Sequence, residues 1–228
     1  SIIARHHDKW VIPTIGKIEA ASARSSALKN RGVYWILGGT GGIGYATAVR
    51  LARSCGARLV LSGRRAQMDQ SQILALRHDG AEVMYIPVDL TNRASVQAAY
   101  NQIQNMVGPI SGVIHAAGVI EDGLITMRQR SDVDRVLAPK LVGGHNLCAV
   151  IQNEPLDFLV FVSSLSVLFP NPGQADYGAA NGALDDLATR FNGAAKRVVT
   201  INYGPWGETG MVAQQTYRES FRRAGLEP

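Results

Sequence analysis

The 228-residue chain has only two cysteines, Cys55 and Cys148. That excludes a disulfide-stapled secreted scaffold and points to a reducing, cytoplasmic setting. Cys55 falls on an apolar helix face, and both cysteines read as core thiols rather than catalysts. No apolar run approaches the roughly 20 residues a membrane span needs; the longest, such as Leu156–Val162, are strand-length. The start, Ser1-Ile2-Ile3-Ala4-Arg5-His6-His7, lacks the long apolar core and small-residue cleavage site of a secretory signal. Charge is sparse, with 18% charged against 46% hydrophobic residues, the balance of a packed protein rather than a disordered one. The formal charge of +5 is spread along the chain with no basic stripe interleaved with aromatics, which argues against nucleic acid. A phosphate-rich cofactor or an acidic carrier would each account for the surplus. There is no initiator Met, the chain stops at Gly225-Leu226-Glu227-Pro228, and it reads as a piece of something longer.

What is present is ordered by a repeating pattern from Gly32 onward. Residues 1–30 stand apart: Trp10-Val11-Ile12-Pro13 is a strand-like scrap, and Ala20–Ser26 has the small, polar composition of a linker. Residues 31–228 form the main domain. Its short apolar runs read as strands at Val33–Leu37, Arg58–Ser62, Glu82–Pro87, Gly112–His115, Leu156–Val162 and Arg197–Asn202. Between them the spacing predicts helices over Ala48–Cys55, Gln67–His78, Ala94–Met106, Ser131–Ile151 and Tyr177–Phe191. Apolar strands alternating with amphipathic helices predict an α/β protein, a Rossmann-like doubly wound parallel sheet with helices on both faces.

Between the first strand and first helix lies Gly38-Gly39-Thr40-Gly41-Gly42-Ile43-Gly44. Glycines in that place permit a tight turn and let backbone N–H groups approach a pyrophosphate at the positive end of the helix. A glycine motif alone is weak, but the strand–turn–helix setting makes it a dinucleotide site. An NAD-specific site carries a carboxylate roughly 20 residues beyond the loop, at the end of the second strand. Here that stretch reads Ser62-Gly63-Arg64-Arg65, which offers charge and donors to a 2′-phosphate, so the expected cofactor is NADPH. Asp89, after the third strand, would either accept from the adenine amine or cap the next helix.

Ser163-Ser164 ends the fifth strand, Tyr177 follows thirteen residues after Ser164, and Asn181 lies one helical turn beyond Tyr177. Singly these are a turn former, a buried ring and a cap; together, at the carboxyl end of a strand beside a nucleotide loop, they read as a site. Here the sequence resembles the short-chain dehydrogenase/reductase superfamily, and within it the ketoreductase domains of modular polyketide synthases. That superfamily commonly has Tyr-x-x-x-Lys; this chain has Tyr177-Gly178-Ala179-Ala180-Asn181, with a lysine upstream in Leu137-Ala138-Pro139-Lys140-Leu141-Val142-Gly143-Gly144. The exchange of Lys and Asn is characteristic of the polyketide enzymes. The segments His115-Ala116-Ala117-Gly118-Val119, Gly173-Gln174-Ala175-Asp176-Tyr177 and Asn202-Tyr203-Gly204-Pro205-Trp206-Gly207 match as well, so the resemblance covers about Gly32 to Pro228.

The resemblance implies NADPH-dependent reduction of a β-ketoacyl thioester on an acyl carrier protein, beside neighbouring synthase domains. It makes residues 1–30 the tail of a companion structural subdomain. The catalytic set becomes Tyr177, Ser164, Lys140 and Asn181: Tyr177 donates the proton, Ser164 orients the carbonyl oxygen, Lys140 holds the nicotinamide ribose, and Asn181 positions Lys140 or a water. A lysine cation within roughly 4–6 Å is expected to lower the tyrosine pKa from about 10. Asp89-Leu90, His115-Ala116-Ala117-Gly118 and Pro205-Trp206 become further cofactor contacts. Ile120, Glu121, Asp122, Phe169, Pro172, Gln174 and Met211 become substrate and stereocontrol residues. Ile120-Glu121-Asp122 stands for a Leu-Asp-Asp signature and Phe169 for a tryptophan of the opposite group, which with Pro172 gives the D-β-hydroxy (B-type) product. Leu37 replaces a threonine usual before the glycines, with some loss of cofactor affinity expected. Residues 208–226 would be a lid hinged near Thr209-Gly210-Met211, or an ordinary surface helix. A catalytically silent NADPH-binding or scaffolding domain, and a free-standing reductase of small ketones, are the competing readings.

Overall fold

The computed structural model describes residues 4–6, 9–11 and 27–204. Strands β1 (Ala4–His6) and β2 (Lys9–Val11) pair antiparallel, with Arg5 opposite Trp10, as a small sheet of their own. The expected linker at Ala20–Ser26 lies outside the described residues.

Six strands build the main sheet: β3 (Val33–Leu37), β4 (Arg58–Gly63), β5 (Glu82–Pro87), β6 (Gly112–His115), β7 (Phe158–Ser164) and β8 (Val198–Tyr203). Their order is β5-β4-β3-β6-β7-β8 and every neighbouring pair is parallel. This is the doubly wound topology, in which the order reverses between β3 and β6. β3 sits at the centre and is buried along its whole length. Its alternate side chains enter two separate cores. Val33, Trp35 and Leu37 join Val113, Leu159 and Phe161 on one face, whereas Tyr34 and Ile36 join Leu59, Leu61 and Ile114 on the other.

Helices cover both faces, as expected. Helices α1 (Gly42–Cys55) and α2 (Gln70–His78) deliver Ala48, Leu51, Ala52 and Leu76 to the second core. Helices α3 (Arg93–Met106), α5 (Leu141–Ile151) and α6 (Ala175–Arg190) deliver Val96, Ile103, Leu147, Ile151, Leu184 and Leu187 to the first. The cysteines are free and half-buried against these cores; burial raises both thiol pKa values, Cys148 to about 11, so neither is a reactive thiolate.

Several boundaries differ from the sequence expectation. α2 starts at Gln70 rather than residue 67, because the Asp69 carboxylate accepts the Ser71 N–H at 2.8 Å and caps the helix there. The single helix expected over Ser131–Ile151 is two, α4 (Arg130–Leu137) and α5. Pro139 lies in the break, having no N–H to donate and a ring that crowds the preceding turn. The strand expected at Leu156–Val162 is shifted two residues later, and α6 begins two residues before Tyr177. Gly144 within α5 permits close packing, since a Cβ there would lie 2.7 Å from Leu187 Cδ1 on α6. Among the described residues no helix is long and apolar enough to cross a membrane.

Loop and helix meet most tightly at Gly44, where a Cβ would overlap the Gly38 carbonyl oxygen and lie 2.9 Å from its carbon. Gly41, on the open side of the loop, has nothing within 4 Å. Gly44→Ala is therefore expected to cost about 1–3 kcal/mol and Gly41→Ala less than about 1 kcal/mol, read as chemical denaturation midpoints. Equal effects would contradict this packing.

Candidate active site

Where the strand order reverses, the loops leaving β3 and β6 diverge and open a crevice at the carboxyl ends of the strands. The β3 loop turns immediately: Gly38 has φ +79°, and Gly38 and Gly39 both donate N–H to the Ser62 carbonyl, at 2.8 and 3.3 Å. No side chain fits at Gly38, because a Cβ would approach the Ala116–Ala117 backbone to 2.6 Å. Gly41 is then the N-cap of α1, without a side-chain cap bond and with no acidic residue in the first turn. The helix start thus presents its orphan N–H groups and positive dipole end to the crevice, which suits a pyrophosphate.

One cavity of about 1310 Å³ fills the crevice. At one end it is lined by Gly38, Thr40, Gly41, Gly42 and Ile43, with Arg64 and Arg65 just past β4. Asp89, Leu90, Ala116, Ala117 and Gly118 line its middle, and Lys140, Ser164, Tyr177, Ile120, Phe169 and Gln174 line the other end. Gly39 and Gly44 lie beneath the loop in the packing rather than on the cavity wall. The donor set fits an extended, phosphate-bearing dinucleotide: a helix start for the pyrophosphate and two exposed arginines where an NAD site has a carboxylate.

Three of the expected cofactor residues have hydrogen-bond partners within the protein. Ser62 is 1% exposed and its Oγ accepts the Trp35 indole N–H at 3.0 Å, so it braces the core while also lining the cavity. Asp89 does not cap α3: Asn92 does, accepting the N–H groups of Ala94 and Ser95 at 2.9 and 3.2 Å. The Asp89 carboxylate instead binds Thr91 and faces the cavity wall. His115 is wholly buried and absent from the lining. Its Nε2–H donates to the Pro139 carbonyl at 3.1 Å. Burial, and then the charge of Lys140, pull its pKa down to about 3, which holds the ring neutral.

That bond ties β6 to the break between α4 and α5, and the break delivers Lys140 into the core. Lys140 is 4% exposed, and its Nζ donates to the Val162 carbonyl near the end of β7 at 2.7 Å. Burial lowers its pKa to about 8, partly opposed by the Asp185 carboxylate. Ser164 is the last residue of β7 and its Oγ accepts the Ser166 N–H at 3.1 Å. Tyr177 is half-buried in the first turn of α6; Asn181, fully buried, donates Nδ2–H to the Tyr177 carbonyl at 2.8 Å while its Oδ1 has no partner among the described residues. Burial raises the Tyr177 hydroxyl pKa above its ordinary value, and the neighbouring Asn181 and Ser164 side chains pull it part way back. The expected lowering by Lys140 is not observed; desolvation of the phenol outweighs its neighbours.

The stereocontrol candidates divide. Ile120, Phe169 and Gln174 line the cavity, with Phe169 59% exposed at its rim. Glu121 instead binds Arg135 through both oxygens at 3.0 and 3.1 Å, and Asp122 accepts Gln174 Nε2 at 3.0 Å. Pro172 is exposed and off the lining. Pro205, Trp206, Met211 and the expected lid over residues 208–226 lie outside the described residues.

Sequence reasoning missed two carboxylates. Asp185 continues the four-residue step Tyr177, Asn181, Asp185 along α6, and its Oδ2 accepts Asn202 Nδ2 at 3.0 Å. The same Asn202 amide reaches the Ser164 carbonyl at 3.3 Å, so Asp185 braces the end of β7. Asp176, directly before Tyr177, is buried against Arg128, a pairing of distant residues that no local spacing announces.

Fold and site together define the short-chain dehydrogenase/reductase class, whose members use a nicotinamide cofactor. Residues 32–208 match the family model of the KR domain, and the chain belongs to that family. It is 33% identical to the polyketide synthase ThaG of Burkholderia thailandensis over 96% of this chain and 4% of that protein. It is likewise 33% identical to the polyketide synthase PksN of Bacillus subtilis, over 92% of this chain and 4% of that one. The chain thus spans only a small part of these relatives. Among solved structures, an N-terminal ketoreductase from the macrolactin assembly line superposes with a TM-score of 0.80 at 34% identity, covering 90% of this chain and 41% of that one. A ketoreductase domain from the bacillaene assembly line gives 0.83 at 28% identity, covering 99% and 56%.

The buried neutral His115 has a pH signature. Its pKa is about 3 in the fold, against the ordinary imidazole value of 6.5, so between these values the unfolded chain takes up a proton that the fold does not. Stability should fall as pH drops through this window. His115→Asn should flatten the acid side of a plot of denaturation midpoint against pH; an unchanged slope would show that His115 is not the group responsible.

Proposed function

We propose that this domain uses NADPH to reduce a β-ketoacyl thioester, carried on an acyl carrier protein, to the β-hydroxyacyl thioester, as one step of polyketide biosynthesis among neighbouring synthase domains. The observation that carries the reading is the single cavity on which the glycine loop, Arg64 and Arg65 converge from one side and Ser164, Tyr177 and Lys140 from the other. The α1 start, together with Arg64 and Arg65 toward the 2′-phosphate, would hold NADPH, which when bound would supply hydride to the ketone carbon. Those two arginines favour NADPH over NADH, because a guanidinium pair gains strong charge-assisted bonds only where a phosphate is present.

The rest is done by side chains. Ser164 donates to the carbonyl oxygen and fixes its orientation. Tyr177 gives its hydroxyl proton to that oxygen as negative charge develops there, and the alcohol leaves neutral. Burial keeps the phenol a weak acid, and the proposed mechanism therefore needs neighbouring groups to stabilise the tyrosinate as the proton leaves. The tyrosinate left behind is stabilised by the Lys140 ammonium, which would also hold the nicotinamide ribose. Asn181 secures the first turn of α6 through the Tyr177 carbonyl, and its free Oδ1 is available to Lys140 or a water. The product is assigned the D configuration (B-type) from Ile120-Glu121-Asp122 and from Phe169 and Pro172.

Tyr177→Phe is expected to lower turnover of a β-keto thioester by about 10³-fold while leaving NADPH affinity intact, followed by loss of reduced-nicotinamide absorbance and by cofactor fluorescence. Retained turnover would overturn the role of Tyr177. Replacing Arg64 and Arg65 together with Gln should weaken NADPH by about 10–100-fold and leave NADH unchanged; equal losses would sink the 2′-phosphate assignment. Chiral chromatography should show mainly the D-alcohol, and a mainly L product would reverse the stereochemical assignment.

A further inference from the structure

Two segments meet beside the substrate end of the cavity. Residues 120–128 follow β6 and carry the Ile120-Glu121-Asp122 triplet; residues 171–177 lead into α6 and end on Tyr177. Three cross-links join them. Gly123 donates N–H to the Gly173 carbonyl at 2.9 Å, Gln174 Nε2 donates to Asp122 Oδ1 at 3.0 Å, and Arg128 Nη2 donates to Asp176 Oδ2 at 2.8 Å. The third differs in kind, because both side chains are buried, Arg128 9% and Asp176 2% exposed. The second oxygen of Asp176 accepts the backbone N–H of Tyr177 at 2.8 Å. One carboxylate therefore holds the triplet segment and the amide of the proton donor together. Arg128 runs against Gly123, where a Cβ would lie 2.9 Å from Arg128 Cδ, and its Nη2 is 3.7 Å from the Glu121 carboxylate.

We infer that the buried Arg128–Asp176 pair, which bridges the triplet segment to the amide of Tyr177, is the positioning element that fixes how the ketone is presented to Tyr177 and hence which carbonyl face is reduced. The inference rests on the ketone reduction proposed above. A buried ion pair contributes little net stability, since desolving two charges offsets most of their attraction. It does provide direction, because the planar guanidinium accepts its partner only along fixed lines. Small displacements between a bound substrate and a reacting group alter rates strongly. A device that sets the spacing of these two segments thus acts on presentation more than on folding.

The test is the double variant Arg128→Met with Asp176→Asn, which removes both charges together and leaves an amide oxygen to accept the Tyr177 N–H. With NADPH and a β-keto thioester, KM is expected to rise about tenfold and kcat to fall by less than about threefold. The minor enantiomer should increase by about tenfold, with NADPH affinity unchanged. In the substrate-free protein, hydrogen exchange at the Gly123 and Tyr177 amides should accelerate together. An unchanged enantiomer ratio and KM, with only the denaturation midpoint moved, would show a purely structural pair and overturn the inference. Should the double variant not fold, Arg128→Lys keeps the charge but loses the planar fork, and the same two readouts should move less far in the same direction; no movement overturns the inference. If the wild type binds NADPH but turns over no thioester, the reductase reading fails separately. Exchange at Gly123 and Tyr177 then decides the clamp, and unchanged exchange overturns it.

Discussion

The site depends on a lysine ammonium placed inside the core. Lys140 reaches the end of β7 from the break at Pro139, whose carbonyl is held by neutral His115 on β6. Burial taxes the charge, drawing the pKa to about 8, and the surroundings answer with the Val162 carbonyl and the Asp185 carboxylate.

Around that cation the fold distributes its tasks by strand and helix. β3 and β6 part to give the phosphate end of the cavity, and β7 with α6 gives the chemical end. Rigid elements carry the groups whose geometry must hold: Ser164 terminates a strand in register with Tyr203 of β8, and Tyr177 and Asn181 stand one turn apart on α6. The triplet segment, by contrast, has little regular structure and is held by side-chain and main-chain links to the start of α6.

Much of this was legible in the sequence, for local reasons. The apolar run Val33–Leu37 coincides with β3, because a fully buried parallel strand is a short apolar run bounded by turn residues, and the bounds Glu82–Pro87 coincide with β5, an edge strand where Ile86 alone is buried. The glycine loop and the Ser164–Tyr177–Asn181 spacing were readable because each is a local pattern in a strand–turn–helix setting. What escaped was set by partners far apart in the chain. Ser62, which lines the cavity, also accepts from Trp35, 27 residues earlier, a bond that no local pattern announces. His115 reads as a cofactor contact until burial and Pro139, 24 residues later, make it a brace. Arg128 and Asp176 are 48 residues apart, and nothing near either one predicts the other.

The most direct test of the account is the pH profile of thioester reduction, from about pH 6 to about pH 10, for the wild type and for Lys140→Met at saturating NADPH. In the proposed mechanism the cationic form of Lys140 is the working one, and burial draws its pKa to about 8. Wild-type turnover should therefore hold at neutral pH and fall as pH rises through that value, whereas Lys140→Met should be slow throughout without that inflection. A wild-type rate that passes through pH 8 without falling, together with near-normal turnover by Lys140→Met, would contradict the central role given to the buried cation.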